Sequence, residues 1–143
     1  MNSRVNLIDK TITYINSLTQ QKVGYNLPNC QPNYLEIDRD SLGFMILDQV
    51  QENLDVTGNI VGNLPVDLTY RKIQSNTSSD EITSLDLLEN IVSNLIKDYK
   101  LITGTDFVVF GISEVQTARL NAVYDDNTKD FTVTIKLDYM RNM

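Results

Sequence analysis

Histidine and tryptophan are both missing from this chain, and cysteine occurs once, at Cys30. Histidine is the usual general base near neutral pH and the commonest metal ligand. Its absence removes Ser/His/Asp triads, Cys/His dyads and zinc sites of ordinary composition. A single cysteine closes no intrachain disulfide, so nothing marks a stapled secreted domain, and a reducing compartment is the simpler expectation. Long apolar runs are lacking too. The longest, residues 107–112, is far short of the roughly 20 needed to cross a bilayer, and Asn6, Asp9 and Lys10 break the opening stretch where a signal peptide would need continuity. Neither a membrane span nor an export signal is expected. Cationic side chains are in deficit, with 12 Lys and Arg against 19 Asp and Glu, for a net charge of -7. That balance disfavours gripping nucleic acid.

What remains is an ordinary globular composition. Of the 143 residues, 41% are hydrophobic and 22% charged, and the mean hydropathy is -0.22. One domain covering residues 1–143 is expected, without repeats or low-complexity tracts.

Periodicity supplies the elements. Over residues 5–18, Val5, Leu7, Ile8, Ile12, Ile15 and Leu18 fall on one helical face, interrupted by Thr11, and Asn2 or Ser3 is placed to cap the start. Residues 19–40, with Gly24, Pro28 and Pro32, read as loop containing a short strand at 34–37. A buried strand is expected at 42–47, then an exposed excursion or loose hairpin at 49–63. Leu64, Val66, Leu68 and Tyr70 alternate with polar residues over 64–73, with Pro65 expected at the strand's beginning or on an edge. The polar run 74–81 reads as a mobile loop. A second helix is expected from Thr83 or Ser84, capped by Thr83 with Asp86 three residues on. Leu85, Leu88, Ile91, Val92, Leu95, Ile96 and Tyr99 line its apolar face, and Gly104 is its terminator. The last third predicts strands at 106–115, 116–124 and 130–139, with 125–130 as a hairpin turn. In the last strand Phe131, Val133, Ile135 and Leu137 face inward. The opposite face, Thr132, Thr134, Lys136 and Asp138, is expected to be wet or to cover another subunit. The fold class predicted is α+β: a two-layer sandwich, its sheet mostly antiparallel, with two amphipathic helices on one face.

Chemistry is sparse. The carboxylates at 125–130 lack the glycine and the twelfth-position glutamate of a calcium loop, Lys136 standing there instead, so a solvated turn is the better reading. Cys30 has no cation near it in sequence beyond Lys22 and reads as inert. Glu36, Asp38 and Asp40 have the spacing of a carboxylate pair, yet no aromatic groove is evident beside them, so a solvated acidic strand edge is favoured. Gly104 and Gly111 form no phosphate cradle. Tyr70, Tyr99, Tyr124 and Tyr139 read as packing residues with hydroxyls at the rim. No enzyme activity, no cofactor and no metal are expected.

Taken in order, the opening helix at 5–18, the strand Leu-Pro-Val-Asp-Leu-Thr-Tyr-Arg at 64–71, the polar loop 74–81, the helix Leu-Leu-Glu-Asn-Ile-Val-Ser-Asn-Leu at 87–95 and the hairpin at 123–139 resemble the tail-terminator proteins of long-tailed bacteriophages, a group that includes minor capsid proteins. The resemblance covers most of the chain, without one diagnostic motif, and segment 19–63 has no counterpart in it. It implies a non-enzymatic virion protein that caps the tail tube as a ring, expected to be a hexamer, stops polymerisation and forms the docking surface for the head. The implied partners are further copies of the chain, the tail tube protein and the head-completion or stopper protein. DNA would pass through the lumen unbound, aided by the acidic balance, and no membrane is involved. The location implied is the head-proximal end of the tail, after synthesis in the bacterial cytoplasm. Alternatives are a stopper at the connector or a small non-phage cytoplasmic binding module. Candidate assembly-interface loops carry Asn53, Asp55 and Asn59, then Ser78 and Asp80, then Asp125, Asp126 and Lys129.

Overall fold

A computed structural model describes residues 3–47 and 51–141. The chain runs α1 (Ser3–Asn16), α2 (Gln20–Val23), β1 (Cys30–Pro32), β2 (Ser41–Ile46), β3 (Gln51–Leu54), β4 (Ile60–Lys72), α3 (Ser78–Lys97), a 3-10 turn (Tyr99–Leu101), β5 (Phe107–Val123) and β6 (Lys129–Arg141). Six strands form one sheet in the order β1-β2-β4-β6-β5, and β3 joins β4 beside β2. All pairings are antiparallel except β1 with β2. The helices cover one face of the sheet, which makes the fold α+β as the hydrophobic pattern requires.

The inner face carries the core. Phe131, Val133, Ile135 and Leu137 of β6 are fully buried, as are Val66 and Leu68 of β4 and Leu42 and Phe44 of β2. Against them pack Leu7 and Ile15 of α1 and Leu87, Leu88, Ile91, Val92 and Leu95 of α3. Each such side chain contributes about 1.5–3 kcal/mol relative to exposure. Thr11 interrupts the apolar face of α1 yet is buried at no polar penalty, because its hydroxyl donates to the Leu7 carbonyl at 2.7 Å.

Several expectations need correction. α1 begins at Ser3, so Ser3 lies inside the helix, and Asn2 falls outside the described residues. The strand expected at 34–37 is displaced to Cys30–Pro32. After Pro32 the chain turns at Asn33, φ 52°, and crosses the outer face, where a Cβ on Gly43 would sit 2.9 Å from the Tyr34 carbonyl oxygen. Glycine at 43 is what allows that crossing. The segment read as loop also holds the single turn α2, closed by Gly24 at φ 84° and tied to α3 by Asn90, which donates to the Val23 carbonyl at 2.8 Å. The excursion at 49–63 is a regular hairpin from Gln51 onward, with Gln51 to Leu54 paired to Asn63 to Ile60; residues 49 and 50 lie outside the described residues. Pro65 is in the interior of β4, not at its beginning. Its carbonyl accepts from Leu47 at the place where β4's neighbour changes from β3 to β2, and there its missing N–H leaves the ladder intact.

The second long helix starts at Ser78, five residues before Thr83. Thr77 is its cap, with a hydroxyl accepting from the Asp80 N–H at 3.1 Å, and the second half of the run expected to be a mobile loop, residues 78–81, is the first turn of α3. Its buried face includes Ser84 and Leu87, and Ile96, expected on that face, is 41% exposed. The helix ends at Lys97, so Gly104 terminates nothing; it lies under the Phe107 ring, with no room for a side chain. The two strands expected over 106–124 are one 17-residue strand, kept continuous by four register shifts against β6.

Candidate assembly surfaces

At one end of the sheet the approach to α3 and the β5–β6 turn are a single structure. Ser75 N–H donates to the Asn127 carbonyl at 2.9 Å, and Asn127 Nδ2 donates to Asn76 Oδ1 at 3.2 Å. Lys129 Nζ reaches Glu81 Oε1 at 2.7 Å. These contacts bring the segment that carries Ser78 and Asp80 to the same end of the sheet as Asp125, Asp126 and Lys129. Asp126 Oδ1 accepts from the Thr128 N–H at 3.0 Å, and the backbone and hydroxyl of Thr128 hold its carboxyl below the usual range. Asn127, at φ 65°, supplies the left-handed residue that the turn requires.

Asp130, where the expected turn and last strand meet, lies in β6 and is buried. Its carboxylate takes a bidentate pair from Arg71, Nε at 2.8 Å and Nη2 at 2.9 Å, and also accepts from Tyr124 Oη at 2.7 Å. Arg71 stacks over the Tyr124 ring at 5.1 Å and donates to the Glu36 carbonyl at 3.1 Å. One guanidinium therefore joins β4, β6, the turn and the outer crossover. Sequence reasoning missed this anchor. The outer face of β6 beyond it is not wet at its centre: Thr132 and Thr134 are buried, with Thr69 at 3.0 Å from the Thr132 hydroxyl and Arg119 donating to Thr134 Oγ1 at 3.2 Å.

At the opposite end lies the β3–β4 turn. Asp55 Oδ1 accepts from the Thr57 N–H at 2.9 Å, the Thr57 hydroxyl at 2.6 Å and the Asn59 N–H at 3.0 Å. Those donors keep its carboxyl below the ordinary value. Gly58, at φ 88°, completes the turn. Asp55 and Asn59 are occupied in building it, Asn53 is exposed on β3, and the side chains the turn presents are Leu54 and Val56, 61% and 104% exposed. The two ends are separated by the length of β4, about 40 Å at roughly 3.3 Å per residue.

The remaining candidate chemistry disperses. Cys30 is buried, its two backbone polar groups are paired with the Asn16 amide, and burial pushes its thiol up to about 12. Glu36, Asp38 and Asp40 lie on the irregular crossover, not on a strand. Asp40 is held by Lys72 at 2.9 Å and the Ile73 N–H at 3.0 Å, and Asp38 faces solvent beside Arg39. Tyr70 and Tyr139 are buried, whereas Tyr124 is 43% exposed with its hydroxyl engaged as above. Among the described residues no three His, Cys, Asp or Glu are grouped to hold a metal ion, and no helix is long and apolar enough to cross a membrane.

No family model and no curated protein matches this chain. Its fold matches a chain in the solved structure "Virion of native gene transfer agent (GTA) particle", with a TM-score of 0.63 over 94% of this chain and 91% of that one. The sequences are 9% identical, so the likeness establishes a shared architecture over nearly the whole length.

Proposed function

We propose that this chain is a structural virion subunit of the tail-terminator type, acting without catalysis as a ring, expected to be hexameric, on the last ring of the tail tube. The observation that carries the reading is the fold likeness to a chain of a virion particle across 94% of the length. The placement of the candidate loops supports it. A ring between tube and head must present different surfaces at its two axial ends, and the turn around Asp55 and the cluster around Asp80 and Asp126 stand about 40 Å apart along one rigid strand. In this reading one end meets the tail tube protein and the other the head-completion protein. The net charge of -7 suits a lumen that repels passing DNA.

The test is to incubate purified protein with tail tubes lacking a terminator and to image them by electron microscopy. An added ring at one tube end with growth arrested is expected. Capture of DNA-filled heads without tube binding would move the protein to the connector, and binding to neither would overturn the virion reading.

A further inference from the structure

Between Ser75 and Ser84 the chain buries nothing. Among the described residues every side chain from Asn76 to Thr83 is exposed or half-buried, and Ile82, the one large apolar residue of the stretch, is 67% exposed. A segment without buried apolar contacts depends on its polar ones. Here these converge on one place. The Gln74 N–H donates to Thr128 Oγ1 at 3.4 Å, the Ser75 N–H to the Asn127 carbonyl at 2.9 Å, and Asn127 Nδ2 to Asn76 Oδ1 at 3.2 Å, while Lys129 holds Glu81 at 2.7 Å. Three consecutive residues at the β5–β6 turn therefore carry the start of α3. Toward β4 the packing is loose: a cleft of about 260 Å3 opens there, lined by Tyr70 and Lys72 on one side and by Asp80, Thr83 and Ser84 on the other.

Two features of this closed arrangement are unfavourable. Gln74 stands at φ 49°, in the left-handed region that a residue with a Cβ enters at a cost. The hydroxyl of Ser75, a residue only 1% exposed, finds no hydrogen-bond partner among the described residues. Both costs vanish when the segment lifts away, because Gln74 can then leave the left-handed region and the hydroxyl reaches water. The limits of the movable piece are set on both sides. Upstream the Ile73 N–H is fixed to Asp40 Oδ1 at 3.0 Å, and downstream Ser84 and Leu87 begin the buried face of α3. The turn beneath has bonds of its own, Asn127 N–H to the Tyr124 carbonyl at 2.9 Å and Thr128 N–H to Asp126 Oδ1 at 3.0 Å.

We infer that residues 74–83 form a strap that opens from the β5–β6 turn as one unit, hinged at Gln74, while the turn and the rest of α3 stay folded. Strain held in the closed form biases the strap toward opening. Opening uncovers Lys129 and the Asn127 amide at an end of the sheet that carries two of the candidate loops, so whatever engages this turn also moves the start of α3. The inference does not depend on the ring reading.

Hydrogen exchange followed by NMR on the full chain tests it. The Ser75 and Asp80 amides, bonded to Asn127 and Thr77, and the helical amides of Ile82 and Thr83 report on the strap, and those of Leu88, Ile91 and Leu95 report on the body of α3. The four strap amides are expected to share one opening equilibrium, populated at least about 100-fold more than the opening that frees the body. A graded series running inward from the helix end, with Ser75 apart from it, would be ordinary fraying and would overturn the inference. Ser75→Ala removes the unpaired hydroxyl and is expected to slow Ile82 and Thr83 about tenfold, since only the closed form bears that cost. Slowing confined to Leu88, Ile91 and Leu95 would mean that Ser75 stays packed when the helix end opens, and no slowing anywhere would mean that its hydroxyl costs nothing; either result removes the strap. Glu81→Gln cuts the tie to Lys129 and is expected to speed all four strap amides together. Faster exchange at Ile82 and Thr83 with Ser75 unchanged would separate the linker from the helix and sink the single unit.

Discussion

Glu52 on β3 and Arg141 on β6 form a two-pronged ion pair, Nε to Oε2 at 2.7 Å and Nη2 to Oε1 at 3.0 Å, although their strands are not neighbours. The strand between them makes this possible. Glu52 lies opposite Gly62 of β4, and Gly62 lies opposite Tyr139 of β6. With no side chain at 62, the Tyr139 ring leans across and donates its hydroxyl to Glu52 Oε2 at 2.6 Å. The β3–β4 arm is fixed to the body of the sheet through this gap.

Glu52→Gln is therefore expected to cost about 1–3 kcal/mol, because it removes the charge of a bidentate pair and sets an amide NH2 where one of the two acceptor oxygens stood. The pH dependence has a definite sign. Arg141, with Tyr139 and the nearby charge of Arg4, lowers the Glu52 carboxyl from 4.5 to about 2. A depressed carboxyl contributes stability that is complete above the unfolded value and is lost as pH falls toward the folded one. Urea unfolding of both proteins between pH 7 and pH 2 should show two stability curves that approach each other below about pH 4.5, the ordinary value of a glutamate carboxyl. A constant gap across that range would mean that the pair does not hold the arm.

Gly62→Ala tests the same gap sterically. A Cβ there would sit 2.8 Å from the Tyr139 ring and 2.9 Å from Glu52 Cγ, and Tyr139 is fully buried with nowhere to go. The expected cost is about 1–3 kcal/mol by overpacking. Gly111→Ala is the control: its Cβ would find Asp138 at 3.8 Å and nothing nearer, so the melting temperature should hold or rise slightly. Equal losses in the two variants would overturn the steric account.

Alternation and helical period made the core readable. Phe131 to Leu137 and Leu64 to Tyr70 follow the two-residue period of a sheet with one covered face, and Leu88, Ile91, Val92 and Leu95 follow the period of a helix. The errors have local causes. Thr77 and Thr83 each precede an aspartate by three residues, and the turns between them are polar with Ile82 facing solvent, so no apolar stripe reveals that the helix has begun. Strand β5 was read as two because its bulges break the alternation. Among the candidate loops, the glycines and asparagines of 49–63 announce an excursion or loose hairpin, but neither the Asp55 turn nor the exposure of Val56 is legible there. The Glu52–Arg141 and Arg71–Asp130 pairs join residues 89 and 59 positions apart, and nothing in the spacing announces them.

The helix start can be checked directly. Thr77→Ala removes the hydroxyl that accepts from Asp80 and should cost about 1 kcal/mol, with faster amide exchange over the first turn of α3. Thr83→Ala should change stability by less than about 0.5 kcal/mol, since the Thr83 side chain is exposed within the helix and only donates back to the Asp80 carbonyl at 3.1 Å. The reverse order would restore the later helix start.

Where the pairing of β5 with β6 lapses between Gln116 and Arg119, the Ala118 N–H is left to Glu89 of α3, which accepts it at 2.8 Å. Glu114 meets the same carboxylate, and burial together with Glu89 raises its carboxyl above the ordinary value. Two acids thus converge where one acceptor is needed, and the proton between them favours the folded chain. The sign is opposite to that at Glu52: a raised carboxyl contributes stability that is complete below the unfolded value and is lost as pH climbs through the folded one. Glu114→Gln supplies a permanent donor to Glu89 in place of the titrating proton. It is expected to stabilise the protein by about 0.5–1 kcal/mol at neutral pH and to leave it unchanged in acid. Thermal unfolding at both pH values decides the matter: a variant less stable than the parent at neutral pH would show that Glu114 serves the bulge as a carboxylate and not as a donor.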